Sequence, residues 1–191
     1  MSARATAIVT ARSAFGRLAA LLLLGAAAAG CSGRDAREAE NQAVVASPEQ
    51  VSQGFLLTRS EGGIKRWDLK AAVAEVFEGG DTVVLTDLRM DFYDSTGAPS
   101  GRLTAGRGKI LQKENRMDVE TNVVLEGKDG AELRTERLTW SDVSGRVTTD
   151  AYVEIERAGE RLTGFGLEST PDLTTAVVKS RVRVSGTRSA P

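Results

Sequence analysis

Histidine is absent from this chain of 191 residues, and cysteine occurs once, at Cys31. Without histidine there is no Ser-His-Asp or Cys-His catalytic pair and no histidine-ligated zinc site. A lone cysteine has no disulfide partner within the chain and no second thiol with which to complete a metal site. Aromatic residues make up only 5% of the sequence, so any apolar interior must be mostly aliphatic. Long apolar runs are missing too. The candidate run, residues 18–30, falls short of the roughly 20 residues a membrane-spanning helix needs. Nor is there an excess of basic charge. With the first thirty residues set aside, 22 Lys and Arg stand against 26 Asp and Glu. A nucleic-acid binder would carry a strongly basic footprint instead.

The first thirty residues read as an export signal. Arg4, Arg12 and Arg17 are their only charges, and the run that follows is built on Leu21-Leu22-Leu23-Leu24 and small residues. It ends in Ala28-Ala29-Gly30-Cys31, which resembles the bacterial lipobox. In that motif the thiol takes a diacylglyceryl group and the peptide is cut before the cysteine. An ordinary signal peptide with a cysteine nearby is the alternative. Acylation is favoured because an unpaired thiol is a liability in an oxidising compartment, and several fatty chains on one residue anchor firmly. The expected organisation is a lipoprotein signal peptide over 1–30, lipidated Cys31 and a flexible tether over 31–53, a β-domain over 54–185, and a disordered tail over 186–191.

Within the β-domain, hydrophobicity alternates with period two. Leu88, Met90 and Phe92 oppose Asp87, Arg89 and Asp91; Ala151, Val153 and Ile155 oppose Asp150, Glu154 and Glu156; Val182 and Val184 oppose Arg181 and Arg183. Each segment is a strand with one buried and one wet face. Turn signals separate them at Gly79-Gly80-Asp81, Thr96-Gly97, Lys128-Asp129-Gly130, Ser144-Gly145, Ala158-Gly159 and Thr170-Pro171-Asp172. Residues 71–77 are ambiguous alone, and their flanks favour a strand.

The phrase Leu-x-small recurs at Leu69-Lys70-Ala71, Leu103-Thr104-Ala105, Leu133-Arg134-Thr135 and Leu162-Thr163-Gly164. Each is followed on the next strand by an apolar residue: Met90, Val124, Val153 and Val182. In the third unit the alternation changes phase, from Leu133 and Thr135 to Leu138 and Trp140, which predicts a bulge where the strand turns a corner. Stacked units of this kind form two facing sheets with a shared apolar interior and open strand edges. A β-sandwich with accidental similarity between hairpins is the alternative, and it has the same fold class.

The repeat and the C-terminal stretch resemble the LptC family of lipopolysaccharide-export proteins. The resembling residues are Leu133-Arg134-Thr135-Glu136-Arg137-Leu138, Val147-Thr148-Thr149-Asp150, Val153-Glu154-Ile155, Leu162-Thr163-Gly164-Phe165-Gly166-Leu167-Glu168 and Val182-Arg183-Val184. The likeness runs over about residues 67–185. It implies an all-β fold, a twisted β-jellyroll or sandwich of stacked antiparallel strands with open edges, of the OstA/LptA-like repeat type. It also implies no enzymatic activity and no cofactor. The implied partners are lipopolysaccharide, an inner-membrane LptBFG-type ABC transporter at the N-terminal edge, and an LptA-like carrier at the C-terminal edge strand. Many members of the family hold themselves in the inner membrane by an N-terminal helix. Here a lipobox stands in its place, so the expected location is the periplasmic side of a Gram-negative cell membrane. The function favours the inner membrane, and Ser32 after the cysteine favours the outer.

An acyl-chain carrier needs an apolar slot. The candidates for lining it are Leu69, Val73, Leu88, Met90, Leu103, Ile110, Val124, Leu133, Leu138, Val153, Leu162 and Leu167, all of which would serve equally as plain core. The small residues Ala71, Ala105, Thr135 and Gly164 would keep the slot from filling. Anionic head groups would want cations at its rim, and Arg102, Arg107, Lys109, Arg181 and Arg183 are the candidates; a charged edge that resists aggregation explains the last two as well. A β-scaffold lipoprotein without lipid cargo is the competing function. Catalysis is disfavoured because Glu154 and Glu156 share a wet face with no apolar pocket to perturb them. Gly164-Phe165-Gly166 lacks the strand-loop-helix setting of a nucleotide site.

Overall fold

The structure is a computed structural model and describes residues 47–186. The signal segment, Cys31, most of the tether and the final five residues lie outside the described residues. Nine strands follow one another: β1 (Gln50–Glu61), β2 (Ile64–Phe77), β3 (Thr82–Tyr93), β4 (Pro99–Leu111), β5 (Arg116–Gly127), β6 (Glu132–Ser141), β7 (Arg146–Arg157), β8 (Glu160–Ser169) and β9 (Ala176–Gly186). β1 starts at Gln50, so strand backbone reaches into the segment read from the sequence as tether. The strands form one antiparallel sheet in sequence order, with β1 and β9 as its open edges. The fold is all-β as expected, and its two facing layers are halves of one continuous sheet.

That sheet folds because every strand breaks its alternation at the same level. Pairing skips Gly54 and Ala72 between β1 and β2, Ala72 and Asp87 between β2 and β3, and Asp87 and Gly106 on the way to β4. The irregularity continues through Thr121-Asn122, Glu136, Asp150-Ala151, Gly166 and Arg181. Several of these residues have positive φ, among them Asp87 (50°), Asn122 (52°) and Thr121 (72°). Asn and Asp enter the left-handed region at modest cost, whereas a β-branched threonine is strained there. The phase change visible in β6 is therefore a property of the whole sheet. Extra residues at a bulge bend and twist the strand. Register shifts of that kind fall at this level in the pairings from β4–β5 to β8–β9, and one-residue gaps in the pairing continue the crease through β1 to β4.

On one side of the crease lies a leucine lobe. Its inner face carries an aliphatic ladder with one residue from each strand: Leu57, Leu69, Met90, Leu103, Leu125, Leu133, Ile155, Leu162 and Val184. The four repeat leucines are members of it. The other side is a valine lobe with its own ladder, Val76, Val83, Ile110, Met117, Trp140 and Val147. Burial is complete in the middle of the leucine ladder and fades toward the edges, where Leu57 is 38% and Val184 65% exposed.

The register corrects three sequence expectations. Val124 pairs with Thr104 and Arg134 on the outer face, while Val123 and Leu125 point inward. Three consecutive apolar residues had hidden the phase. Val73 also faces outward, because the crease at Ala72 moves the inward position to Ala74. The small residues of the repeat do not hold the interior open. A Cβ on Gly164 would strike the side chain of Val178, and one on Gly108 that of Leu88. Small residues near the crease let the two lobes converge.

The phase assignment is testable by urea denaturation. Leu125→Ala is expected to cost about 2–5 kcal/mol, as for other buried leucines. Val124→Ala should cost clearly less, since its side chain is half exposed.

Candidate functional site

Between the lobes, on the side of the N-terminal edge, the interior opens into a cavity of about 390 Å³. Phe55, Leu57, Leu69 and Met90 line it from the leucine lobe, and Val76, Val83, Ile110 and Met117 from the valine lobe. Its walls are mainly apolar because they are the inner ladders of β1 to β5 with Trp140 of β6, but Arg59, Gln112, Asn115, Arg116 and Asp142 also line it. The volume lies toward the lower end of the roughly 300–1,000 Å³ found for ligand sites.

A second cavity, of about 510 Å³, adjoins it at the free rim of the lobes. This one is polar, with Glu61, Arg66, Tyr93, Asp94, Ser100, Thr170 and Asp172 among its lining residues. Arg59, Trp67, Trp140 and Asp142 line both cavities. Trp67 meets Trp140 edge to face at 5.5 Å between ring centroids, and Phe92 packs against Trp140 at 5.8 Å. Asp142, in the β6–β7 turn of the valine lobe, accepts a 3.1 Å hydrogen bond from Trp67 Nε1 and lies 3.7 Å from the Arg59 guanidinium. Asp142 thus ties the valine lobe to two residues of the leucine lobe. Asp94 is held below the ordinary carboxylate range by hydrogen bonds from Thr96. Burial pushes Asp172 up, but hydrogen bonds from Thr170 and Thr174 outweigh it and its pKa is lowered. Both carboxylates are charged and already engaged within their own turns.

Farther along the rim a clasp closes the gap. The β8–β9 loop leaves the valine lobe and lies on Gly101 and Gly127, which face each other across β4 and β5. A Cβ on Gly101 would fall on the carbonyl oxygen of Pro171, and one on Gly127 on that of Asp172. Leu173 is fully buried beneath the loop, and its carbonyl accepts a hydrogen bond from the Arg157 guanidinium. The loop is stiffened internally, with Leu173 N donating to Thr170 O at 3.0 Å and Ser169 Oγ to Thr175 O at 2.7 Å. With this stretch closed, the Trp67–Trp140 contact is what separates the apolar cavity from the polar one.

Of the twelve residues expected to line a slot, Leu69, Met90 and Ile110 face this cavity. Leu88, Leu103, Leu133, Leu138, Val153 and Leu167 are buried in the continuous core, and Leu162 packs partly buried against it. Val73 and Val124 lie on the outer face. The expected head-group cations do not gather at the rim. Arg102 pairs with Asp91 at 2.9 Å on the outer face of the leucine lobe. Arg107 and Lys109 line a charged trough of about 830 Å³ on the outer face of the valine lobe, among Asp118, Glu120 and Asp150. Arg181 sits over the Phe165 ring at 5.4 Å, and Arg183 is exposed on β9. Strand alternation had assigned a wet face to Arg181 and Arg183 only; which wet face borders the interior is not a local property. Sequence reasoning missed Arg59, Trp67, Asp142 and Leu173. One signal was available for Trp67 and Trp140: they are the only two tryptophans in the chain.

The clasp makes a direct prediction. Gly127→Val should force the Asp172 carbonyl off the strand, lower stability by about 1–3 kcal/mol as overpacking does, and speed hydrogen exchange at the Leu173 amide. Unchanged exchange there would mean that the loop does not depend on the glycine pair.

No curated protein matches the chain. A family model described as "Lipopolysaccharide-assembly, LptC-related" matches residues 18–187, most of the sequence.

Proposed function

The chain belongs to the LptC family, and from that premise we propose that it carries lipopolysaccharide by its acyl chains between the lobes, receiving it at the β1 edge and passing it on at the β9 edge. Membership implies a role in lipopolysaccharide transport, in a family of transport rather than of catalysis. The finer reading rests on one observation above all. The aliphatic ladder runs without interruption through all nine strands and reaches solvent at both open edges, from Leu57 to Val184. An apolar stripe open at both ends suits a chain that enters at one edge and leaves at the other. A globule built only for stability would gain from covering those ends.

On this reading each edge strand pairs with a neighbouring jellyroll by β-augmentation. The transporter takes the β1 side and an LptA-like carrier the β9 side. No helix among the described residues is long and apolar enough to cross a membrane. Acyl chains on Cys31 would then hold the protein at the periplasmic face of the membrane, with the residues before β1 as the leash. A scaffold without cargo is favoured by one feature, the complete burial of Met90, Leu103, Leu125 and Leu133. Carriage requires the lobes to part around that closed core.

Photo-activatable residues distinguish the two. Placed at Met90 or Ile110, they should capture lipopolysaccharide in cells, and at the outward-facing Val124 they should not; equal capture at all three, or none, would remove the carrier reading. The same chemistry at Arg183 should trap an LptA-like protein, and Cys31→Ala should release the protein from membranes.

A further inference from the structure

We propose that Trp67, Trp140 and Asp142 form a side gate through which an amphiphile is admitted, its fatty chains passing beneath the tryptophan pair and its sugar-bearing head resting in the polar cavity outside. This rests on the carrier reading and deepens it: lipid received at the β1 edge is admitted between the lobes at the rim of β1 and β2, which gives the site an orientation and a latch.

Three features of the rim carry the proposal. The first is the juxtaposition of two unlike cavities. A mainly apolar space of about 390 Å³ and a polar space of about 510 Å³ share four lining residues, Arg59, Trp67, Trp140 and Asp142, with the Trp67–Trp140 ring contact among them. A ligand wholly apolar would leave the outer space unfilled, and a wholly polar one could not enter the inner. The polar side offers what a glycosyl head group uses: the Trp67 and Tyr93 rings, the hydroxyls of Ser100 and Thr170, and both carboxylate and guanidinium groups. Arg59 stands at the boundary of the two spaces, where the first anionic group of a glycolipid would come to lie.

The second is that the rim is secured unequally. Over the middle strands β4 and β5 the β8–β9 loop covers it, with a buried leucine and a backbone seat on two glycines. At Trp67 the lobes are joined by side chains: one indole hydrogen bond, one guanidinium–carboxylate approach of 3.7 Å and the edge-to-face contacts of Trp140 with Trp67 and Phe92. Such contacts are individually weak, little enough for a ligand to displace.

The third is mechanical. Asp142 sits in the tight turn between β6 and β7, while Trp67 and Arg59 sit on neighbouring strands β2 and β1. A guest that draws its own polar groups to Arg59 takes away one of the two attachments of Asp142. Trp67 is then held to the valine lobe by its hydrogen bond to Asp142 and its ring contact with Trp140.

Because the chain has only these two tryptophans, its intrinsic fluorescence reports on the gate without a label. The full chain is titrated with purified lipopolysaccharide, with its lipid-free core oligosaccharide and with a long-chain fatty acid, and association is followed by stopped flow. Binding is measured separately by co-sedimentation. Lipopolysaccharide should shift the emission of the wild-type chain and of the single-tryptophan variants Trp67→Phe and Trp140→Phe, and neither fragment should reproduce the whole shift. Asp142→Ala should speed lipopolysaccharide association about fivefold, the factor one lost hydrogen bond implies. Asp142→Asn, which keeps an acceptor for Trp67, should fall between the two. Lipopolysaccharide that binds while tryptophan emission and the Asp142 rates stay unchanged would overturn the gate and leave the carrier reading standing. A full shift from the fatty acid alone would overturn the head-group assignment. No binding at all would overturn the gate and the carrier reading together.

Discussion

One constraint organises the molecule: each strand must break its alternation once, and all nine breaks must fall on one line. A flat nine-stranded sheet with an aliphatic face would expose that face to water along its whole length. Creasing the sheet lets the face bury against itself, which is the dominant favourable term in folding. The cost is local. Thr121 and Asp87 accept positive φ, and Gly106 gives up a side chain that would meet Thr121 at 3.1 Å. Both ladders, the converging glycines and the cavity between the lobes follow from that line.

The crease also explains why the rim, and not the core, carries the functional detail. Near the crease the lobes are too close for anything but packing, as Gly108 against Leu88 and Gly164 against Val178 attest. Away from it they diverge, and the gap must be closed by whatever the turns of the valine lobe supply. The β8–β9 loop supplies a buried clasp. The β6–β7 turn supplies Asp142 and a short polar latch. Sealing is firm over β4 and β5 and light beside β1 and β2, so the interior has a preferred side of approach. The same asymmetry places the apolar cavity next to the N-terminal edge strand.

Much of this was legible beforehand. Alternation named the strands, glycine-bearing turns separated them, and the recurring Leu-x-small phrase fell on β2, β4, β6 and β8 with its leucines in one ladder. The phase change from Thr135 to Leu138 marked the crease on the one strand where flanking residues made it plain. Elsewhere local ambiguity won. In Val123-Val124-Leu125 all three side chains are apolar, so the period-two signal cannot say which two face inward. At Val73 the crease at Ala72 lies immediately before the residue and reverses its face. Alternation assigned a wet face to Arg181 and Arg183, yet a creased sheet has two outer faces and one rim, and alternation does not tell them apart.

The sequence by itself determined what depends on neighbours along the chain: an all-β protein, its strand order, the repeat, and the absence of histidine chemistry. Those properties rest on backbone preference and on side-chain alternation, both set within a few residues. The tertiary structure alone decided which residues meet across the interior. Trp67 and Asp142 stand 75 positions apart, and their contact exists only because a crease common to every strand brings two distant rims together. Side chains that meet in this way leave no mark in local periodicity, since each satisfies its own strand equally well whether or not the other is there.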